Sequence, residues 1–273
     1  MSVAKYNSLH STYFDLGISL HNFSNILGEK WWLIIAEHIQ PILLMWSFLF
    51  QAFPPELAPI ALLAGQATAL AWPISFLYRA YGPIPAFAYF MYFPVWYNAL
   101  FDFHIDHLAV PLLFGFYLFD RNKKYKSALF ASLFLILVNE KFALQAAACG
   151  LYLSFSRKLH WKGLILILVG CGSFIVSTQF ISSFIVLTSQ SVLGETGQID
   201  PTFGWLGNNL NEMILFILTH PHSILMEIIA DKHKLLFLVY LFGALGFIPL
   251  LRPGLLLPLA PILLISLLSK NPS

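Results

Sequence analysis

The sequence predicts an all-α, polytopic integral membrane protein with about eight transmembrane helices plus extracytoplasmic surface helices. Three observations carry this expectation. Hydrophobic residues make up 58% of the 273 residues and the mean hydropathy is +0.75, whereas soluble domains hold roughly 45–50% apolar residues. Charged residues are only 10% of the chain and collect between apolar runs. Several of those runs approach or exceed the about 20 residues needed to cross a hydrocarbon layer. The same reading narrows the function. The formal charge of +2 says little about partners; no nucleic-acid partner is expected, and membrane lipid is the natural surrounding. No Gly-rich phosphate loop, zinc-protease signature or nucleophile elbow occurs. Cys149 and Cys171 both fall in apolar runs, unsuited to a structural disulfide or a thiolate metal site.

Residues 1–54 read as an N-terminal extracytoplasmic segment. The first 30 are the least hydrophobic part of the first half and lack the layout of a signal peptide. Residues 31–53 are long enough to span, but Glu37, His38 and Gln40 interrupt them. The clean apolar part, 41–50, is only about ten residues and suits a helix lying along the surface. Residues 55–187 form the transmembrane core. The run 57–78 is a span closed by Arg79, 83–100 returns across the membrane to the sequence FDFHIDH at 101–107, and 108–119 leads away to a basic loop at 120–126. Residues 127–156 end in a second basic loop holding Arg157, Lys158 and Lys162. One straight helix would place the two basic loops on opposite sides. A hairpin of two short spans turning at Asn139, Glu140 and Lys141 keeps both cytoplasmic, as the positive-inside rule asks. Residues 163–187 are a further span. Residues 188–234 form an extracytoplasmic loop and two amphipathic helices broken at Pro221. Residues 235–273 close the chain with a transmembrane pair, 235–251 and 255–268, around Arg252, Pro253 and Gly254. The loops assigned inside hold nine of the fifteen Lys and Arg but, among thirteen acids, only Asp120. The other acids point to a polar site facing outward.

The densest ionisable cluster is FDFHIDH, which places Asp102, His104, Asp106 and His107 between two apolar runs. An acid at a helix centre costs roughly 2.5–3.5 kcal/mol to insert, so this cluster belongs at a membrane end or in a wet cavity. Whether the segment is extended or helical, Asp102 and Asp106 point to one side. Asp with His suits metal binding, proton transfer or plain hydrogen bonding to a neighbouring loop, and spacing does not choose among these. Glu140 falls on the same side of the membrane. It suits a shared site, or an exposed pair with Lys141. Asp15 suits a helix cap as well as a site, and Glu37 with His38 suits an interfacial anchor. His220 and His222 flank Pro221 as loop residues.

In FDLGI at 14–18, His38 with Pro41, FDFHIDHLAVPLL at 101–113, NEKFAL at 139–144, THP at 219–221 and GFIPLLRPGLLLPLAP at 246–261, the chain resembles the domain of unknown function 2079 family of prokaryotic multi-span membrane proteins. The architecture is also similar to the C-type glycosyltransferases, which use polyprenyl-phosphate sugars. That resemblance implies an enzyme of the plasma (inner) membrane of a prokaryote that serves the cell envelope from the outer face. Asp15 stands where the first-loop acid would be and Asp102 where the second would be, with Glu140 as a further catalytic carboxylate. His38, His104 and Lys141 would bind the donor, and Asp102, His104 and Asp106 would hold a divalent metal ion. The family pattern has Lys and Asp where this chain has Asn139 and Lys141. No span precedes Asp15 and the chain ends soon after its last span, which implies partner helices or a subunit. The alternative is a non-catalytic lipid-carrier-binding or assembly subunit, or a transporter-like protein. In the catalytic reading Asp15, Asp102 and Glu140 converge on one outward cavity beside His104, with residues 189–207 as a partial lid.

Overall fold

The protein is described by a computed structural model that covers residues 14–26, 38–54, 56–100, 102–192 and 201–270. The side chains of Phe14, Asp15, Pro201 and residues 181–192 lie outside the described set, as do residues 31–37, Phe101 and the 193–200 part of the expected lid. All regular structure among the described residues is helical.

Among the described residues two helices are long and apolar enough to cross a membrane. Helix α3 (Ala58–Tyr81) starts with Pro59 in its first turn, where the missing N–H costs nothing, and runs for 24 residues through an internal Pro73. At about 1.5 Å per residue it is long enough for a hydrocarbon core of about 30 Å. Helix α9 (His160–Val192) contains a 21-residue apolar stretch, His160–Phe180. Before them come α1 (Phe14–Ile26) and the ten-residue α2 (Ile42–Gln51). A third crossing arises only if α10 (Leu210–Thr219) and α11 (Pro221–Ala230) form one span, and they meet at 88°. Pro221 causes that break, as the sequence predicts, because its ring cannot continue the helix of the residues before it.

Among the described residues the expectation of about eight spans is therefore corrected to two, or three with the bent pair. The apolar runs are present, but helix continuity is not. The run 83–100 breaks at Tyr92 into α4 (Pro83–Met91) and α5 (Phe93–Leu100). Residues 108–119 become a 3-10 turn (Ile105–Leu108) and the 13-residue α6 (Ala109–Arg121), which reaches only about 20 Å. The last pair becomes α12 (Lys232–Gly243), two 3-10 segments (Ile248–Leu251 and Pro253–Leu259) and α13 (Ala260–Leu268). Pro249, Pro253 and Pro258 remove backbone donors throughout that stretch.

The hairpin expected in 127–156 is present. Helix α7 (Tyr125–Leu135) ends in a turn and α8 (Glu140–Arg157) starts at Glu140, capped by Asn139, whose side chain accepts from the Lys141 N–H at 3.3 Å. Helices α8 and α9 then form the most extensive packed pair. Small residues make this pairing close. A Cβ on Gly150 of α8 would lie 2.6 Å from the Gly163 carbonyl, and one on Gly170 of α9 would lie 2.5 Å from the Ala143 carbonyl. Lipid tails are as apolar as Leu, so such backbone contact is how helices gain association energy in a bilayer.

Two apolar clusters hold the ends together. One joins Phe116, Leu135, Cys149, Leu153 and Leu166 across α6 to α9. The other joins Leu16, Phe23 and Ile26 of α1 to Leu43, Leu62, Phe103 and Ile105, so the helix carrying Asp15 packs beside the FDFHIDH loop. The outside is apolar as well. Ile84, Phe155, Trp161, Leu218 and Leu251 are each between 72% and 80% exposed, a surface suited to lipid and poorly suited to water.

Candidate functional site

FDFHIDH is held by a residue from the long span. Gln66 of α3 is buried; its Oε1 accepts the His104 N–H at 2.8 Å, and its Nε2 donates to the carbonyls of Asn98 at 3.2 Å and Asp102 at 3.4 Å. An amide inside an apolar helix thus satisfies the backbone of a non-helical loop. Asp102 is 4% exposed and its Oδ1 accepts the Phe103 N–H at 3.0 Å. The His104 carbonyl accepts from the His107 Nδ1–H at 2.8 Å, and the two rings stack with centroids 6.2 Å apart. Burial pushes the His107 imidazole below its ordinary value of 6.5, against the hydrogen bond that favours its charged form. His107 is accordingly neutral at pH 7, with its proton on Nδ1.

The first residues of α8 face this loop. Lys141 Nζ donates to Asp106 Oδ2, and Asn139 Nδ2 donates to Asp106 Oδ1 at 3.4 Å. Glu140 turns the other way, to the strand of chain leading into α2. Its Oε1 accepts from His38 Nδ1 at 2.6 Å and its Oε2 accepts the Ile39 N–H at 3.2 Å. The expected alternative of a Glu140–Lys141 pair is thus replaced by two separate ion pairs, each to a distant segment. His38 is not a lone interfacial anchor. The Glu140 carboxylate raises its pKa above the ordinary 6.5, with burial acting in the opposite direction. Since a carboxylate only accepts, the shared proton sits on Nδ1, and the second proton of the imidazolium, on Nε2, is the exchangeable one.

These contacts bring four of the expected site residues together: His38, Asp106, Glu140 and Lys141. His104 lies beside them through the FDFHIDH loop. Asp102 is turned into the protein and ties down its own loop. Asp15 lies on α1, next to that loop through the Leu16 and Phe103 cluster, and its side chain is outside the described residues. Among the described residues no three His, Cys, Asp or Glu side chains are grouped as ligands, and Asp106 is committed to Lys141 and Asn139. Asn139 and Gln66 are the functional residues that the sequence reading did not assign. Asn139 had a legible signal, an Asn immediately before a run opening with Glu.

An apolar crevice of ≈ 460 Å³ opens beside the charged group, lined by Pro41, Ile42, Trp72, Leu108, Phe114 and Leu137 among others. The chain connects the two directly. Pro41 stands three residues after His38, Leu108 next to His107, and Leu137 two residues before Asn139, with the Ile42 N–H donating to the Leu137 carbonyl at 2.9 Å. A charged head and a hydrocarbon tail could thus be accommodated side by side.

At the opposite end, Asp120 is 3% exposed. Its Oδ1 accepts from Arg157 Nε at 2.8 Å, and its Oδ2 accepts from Arg157 Nη2 at 2.6 Å and from the Tyr152 hydroxyl at 2.9 Å. Arg121 donates to the Ala80 carbonyl at 2.9 Å and lies over the Tyr81 ring. These contacts gather the end of α3 and the two basic loops at one end of the molecule, away from FDFHIDH.

The fold and site define an α-helical integral membrane protein with a charged cluster at one end of its bundle. The chain belongs to the DUF2079 family, described as a predicted membrane protein, whose model matches residues 5–273. No curated protein and no solved structure matches it.

Proposed function

We propose that the protein is a transferase of the plasma membrane of a prokaryote that uses a polyprenyl-phosphate sugar, with its site on the outer face. The observation that carries this reading is that the His38–Glu140 and Asp106–Lys141 pairs stand within a few residues along the chain of Pro41, Leu108 and Leu137, which line the ≈ 460 Å³ apolar crevice. An amphiphile with a charged head suits that arrangement. Lys141, released from Asp106, takes the lipid phosphate, and His38, once its imidazolium has given up the Nε2 proton, takes the proton of the acceptor hydroxyl there. The acceptor oxygen then bonds to the sugar's anomeric carbon as that carbon's bond to the phosphate oxygen breaks. The electron pair leaves with the phosphate, and the Glu140 carboxylate stabilises the imidazolium that forms. No step is routed through a metal ion. Asp102 contributes by holding the FDFHIDH side of the site.

The positive-inside rule supports the sidedness, since Arg79, Arg121, Lys123, Lys124, Lys126, Arg157, Lys158 and Lys162 belong to the end opposite His38. The engagement of His38 Nδ1 by Glu140 and of Lys141 by Asp106 favours a second reading, a lipid-carrier-binding subunit without catalysis. Purified protein in nanodiscs, given a labelled polyprenyl-phosphate sugar and a hydroxyl acceptor, separates the two. Sugar release lost in Glu140→Gln with lipid binding retained supports the transferase. Binding with no release in the wild type supports the carrier, and absence of both rejects the lipid-phosphate reading.

A further inference from the structure

We propose that the protein holds an anionic phospholipid at a second site, with the lipid phosphate on Lys234 and part of one hydrocarbon chain in a crevice of ≈ 490 Å³. None of its residues belongs to the His38–Lys141 cluster, and it does not rest on the transferase reading. Lys234 carries the charged half. It stands in the first turn of α12 and is 7% exposed, the one buried side chain of that helix. Among the described residues its Nζ has no hydrogen-bond partner. A buried ammonium left alone is costly, so its position calls for an anion that the surrounding side chains do not supply. The nearest acids along the chain are engaged elsewhere. Asp231 Oδ1 accepts the His233 N–H at 2.8 Å, and Glu227 Oε1 pairs with Lys270 Nζ at 3.0 Å. Lys232 and Lys234 also occupy the positive end of the α12 dipole, where an anion is favoured and a cation is not.

The rest of α12 shows where the chain of the lipid goes. Leu235, Leu236, Phe237, Val239 and Tyr240 are exposed, whereas Leu238, Leu241 and Phe242 are half-buried. These three follow Lys234 at i+4, i+7 and i+8 and share its face of the helix. Leu241 and Phe242 line the crevice, with Leu77, Pro85, Tyr89 and Tyr92 from earlier in the chain. The two tyrosine hydroxyls are already used, donating to the Leu70 and Leu241 carbonyls at 2.9 Å, so the walls are apolar. Seven residues separate Lys234 from Leu241, about 10 Å of helix, and a helical side chain leans toward the helix start. Headgroup charge and hydrocarbon slot are therefore set apart in the order a lipid presents them. The crevice is half open to the surface, so a bilayer lipid can enter it from the side. The headgroup is a phosphate because bilayer lipids carry their negative charge there and a lysine binds it as a point charge.

The test uses the full purified chain in micelles and native mass spectrometry, with phosphatidylglycerol titrated against phosphatidylcholine of the same chains, which has no net charge. The wild type should bind its first phosphatidylglycerol about ten-fold or more tightly than phosphatidylcholine. Lys234→Met, which keeps the stem and removes the charge, should bind the two lipids equally, while Lys232→Met, at an exposed position, should keep the preference. Leu245 lines the crevice, and Leu245→Trp should weaken both lipids about ten-fold by filling it. No preference in the wild type, a preference kept in Lys234→Met, or one lost equally in Lys232→Met overturns the site. Inorganic phosphate that displaces the lipid at equal concentration overturns the lipid as occupant and leaves a free-anion site. If Lys234→Met does not fold, Lys234→Arg and Leu245→Trp decide: the preference kept in the first and binding weakened in the second support the proposal, and wild-type binding in Leu245→Trp refutes it.

Discussion

Replacing Arg157 by Ala tests the physical reasoning most directly. Its guanidinium gives two hydrogen bonds to Asp120, at 2.8 and 2.6 Å, and Asp120 is 3% exposed. Without Arg157 the carboxylate keeps only the Tyr152 hydroxyl, and an uncompensated buried charge costs about 3–5 kcal/mol. The reverse change is milder. In Asp120→Asn the Arg157 side chain, 38% exposed, still reaches water, so the loss is that of charge-assisted hydrogen bonds, roughly 1.5–3 kcal/mol. The double variant Asp120→Asn/Arg157→Met removes both charges and should recover at least about 1 kcal/mol relative to Arg157→Ala. Denaturant unfolding in micelles, followed by tryptophan fluorescence, gives all three values. Arg157→Ala within about 0.5 kcal/mol of wild type, the range of an ordinary surface change, would refute the claim that this pair holds α6 against α8.

Three further outcomes are expected. In the wild type the His38–Glu140 pair is fully formed below the ordinary histidine value of 6.5 and is lost as pH rises through the raised folded value; Glu140→Gln should lower the His38 midpoint in an NMR titration, and an unmoved midpoint rejects the pairing. Gly170→Val should cost roughly 1–3 kcal/mol or more in the same unfolding assay, because its Cβ meets the Ala143 carbonyl at 2.5 Å and backbone cannot yield; wild-type stability would show that α8 and α9 do not pack this closely. With Cys149 and Cys171 replaced, a cysteine at Asn122 should resist an impermeant thiol reagent applied to intact cells while one at Lys141 reacts, and labelling of the first position would invert the proposed sidedness.

The sequence by itself determined the membrane class, because hydropathy is a sum over local residues. It also located the Asn139 turn and the break at Pro221, since caps and prolines act through their own backbone. The concentration of ionisable groups at FDFHIDH was legible for the same reason. The number of crossings was not, because an apolar run measures solubility in lipid while a span needs unbroken helix, and Tyr92 and the prolines of 249–258 interrupt the one without altering the other. Partners were decided by tertiary structure alone. Glu140 meets His38 across 102 positions, Lys141 meets Asp106 across 35 and Arg157 meets Asp120 across 37. Side chains so far apart meet only where helix crossings and loop paths place them, and sequence spacing encodes neither. The glycines of α8 and α9 belong with them. Each is an ordinary helix residue until a second backbone approaches within contact distance, and that approach is a property of the pair.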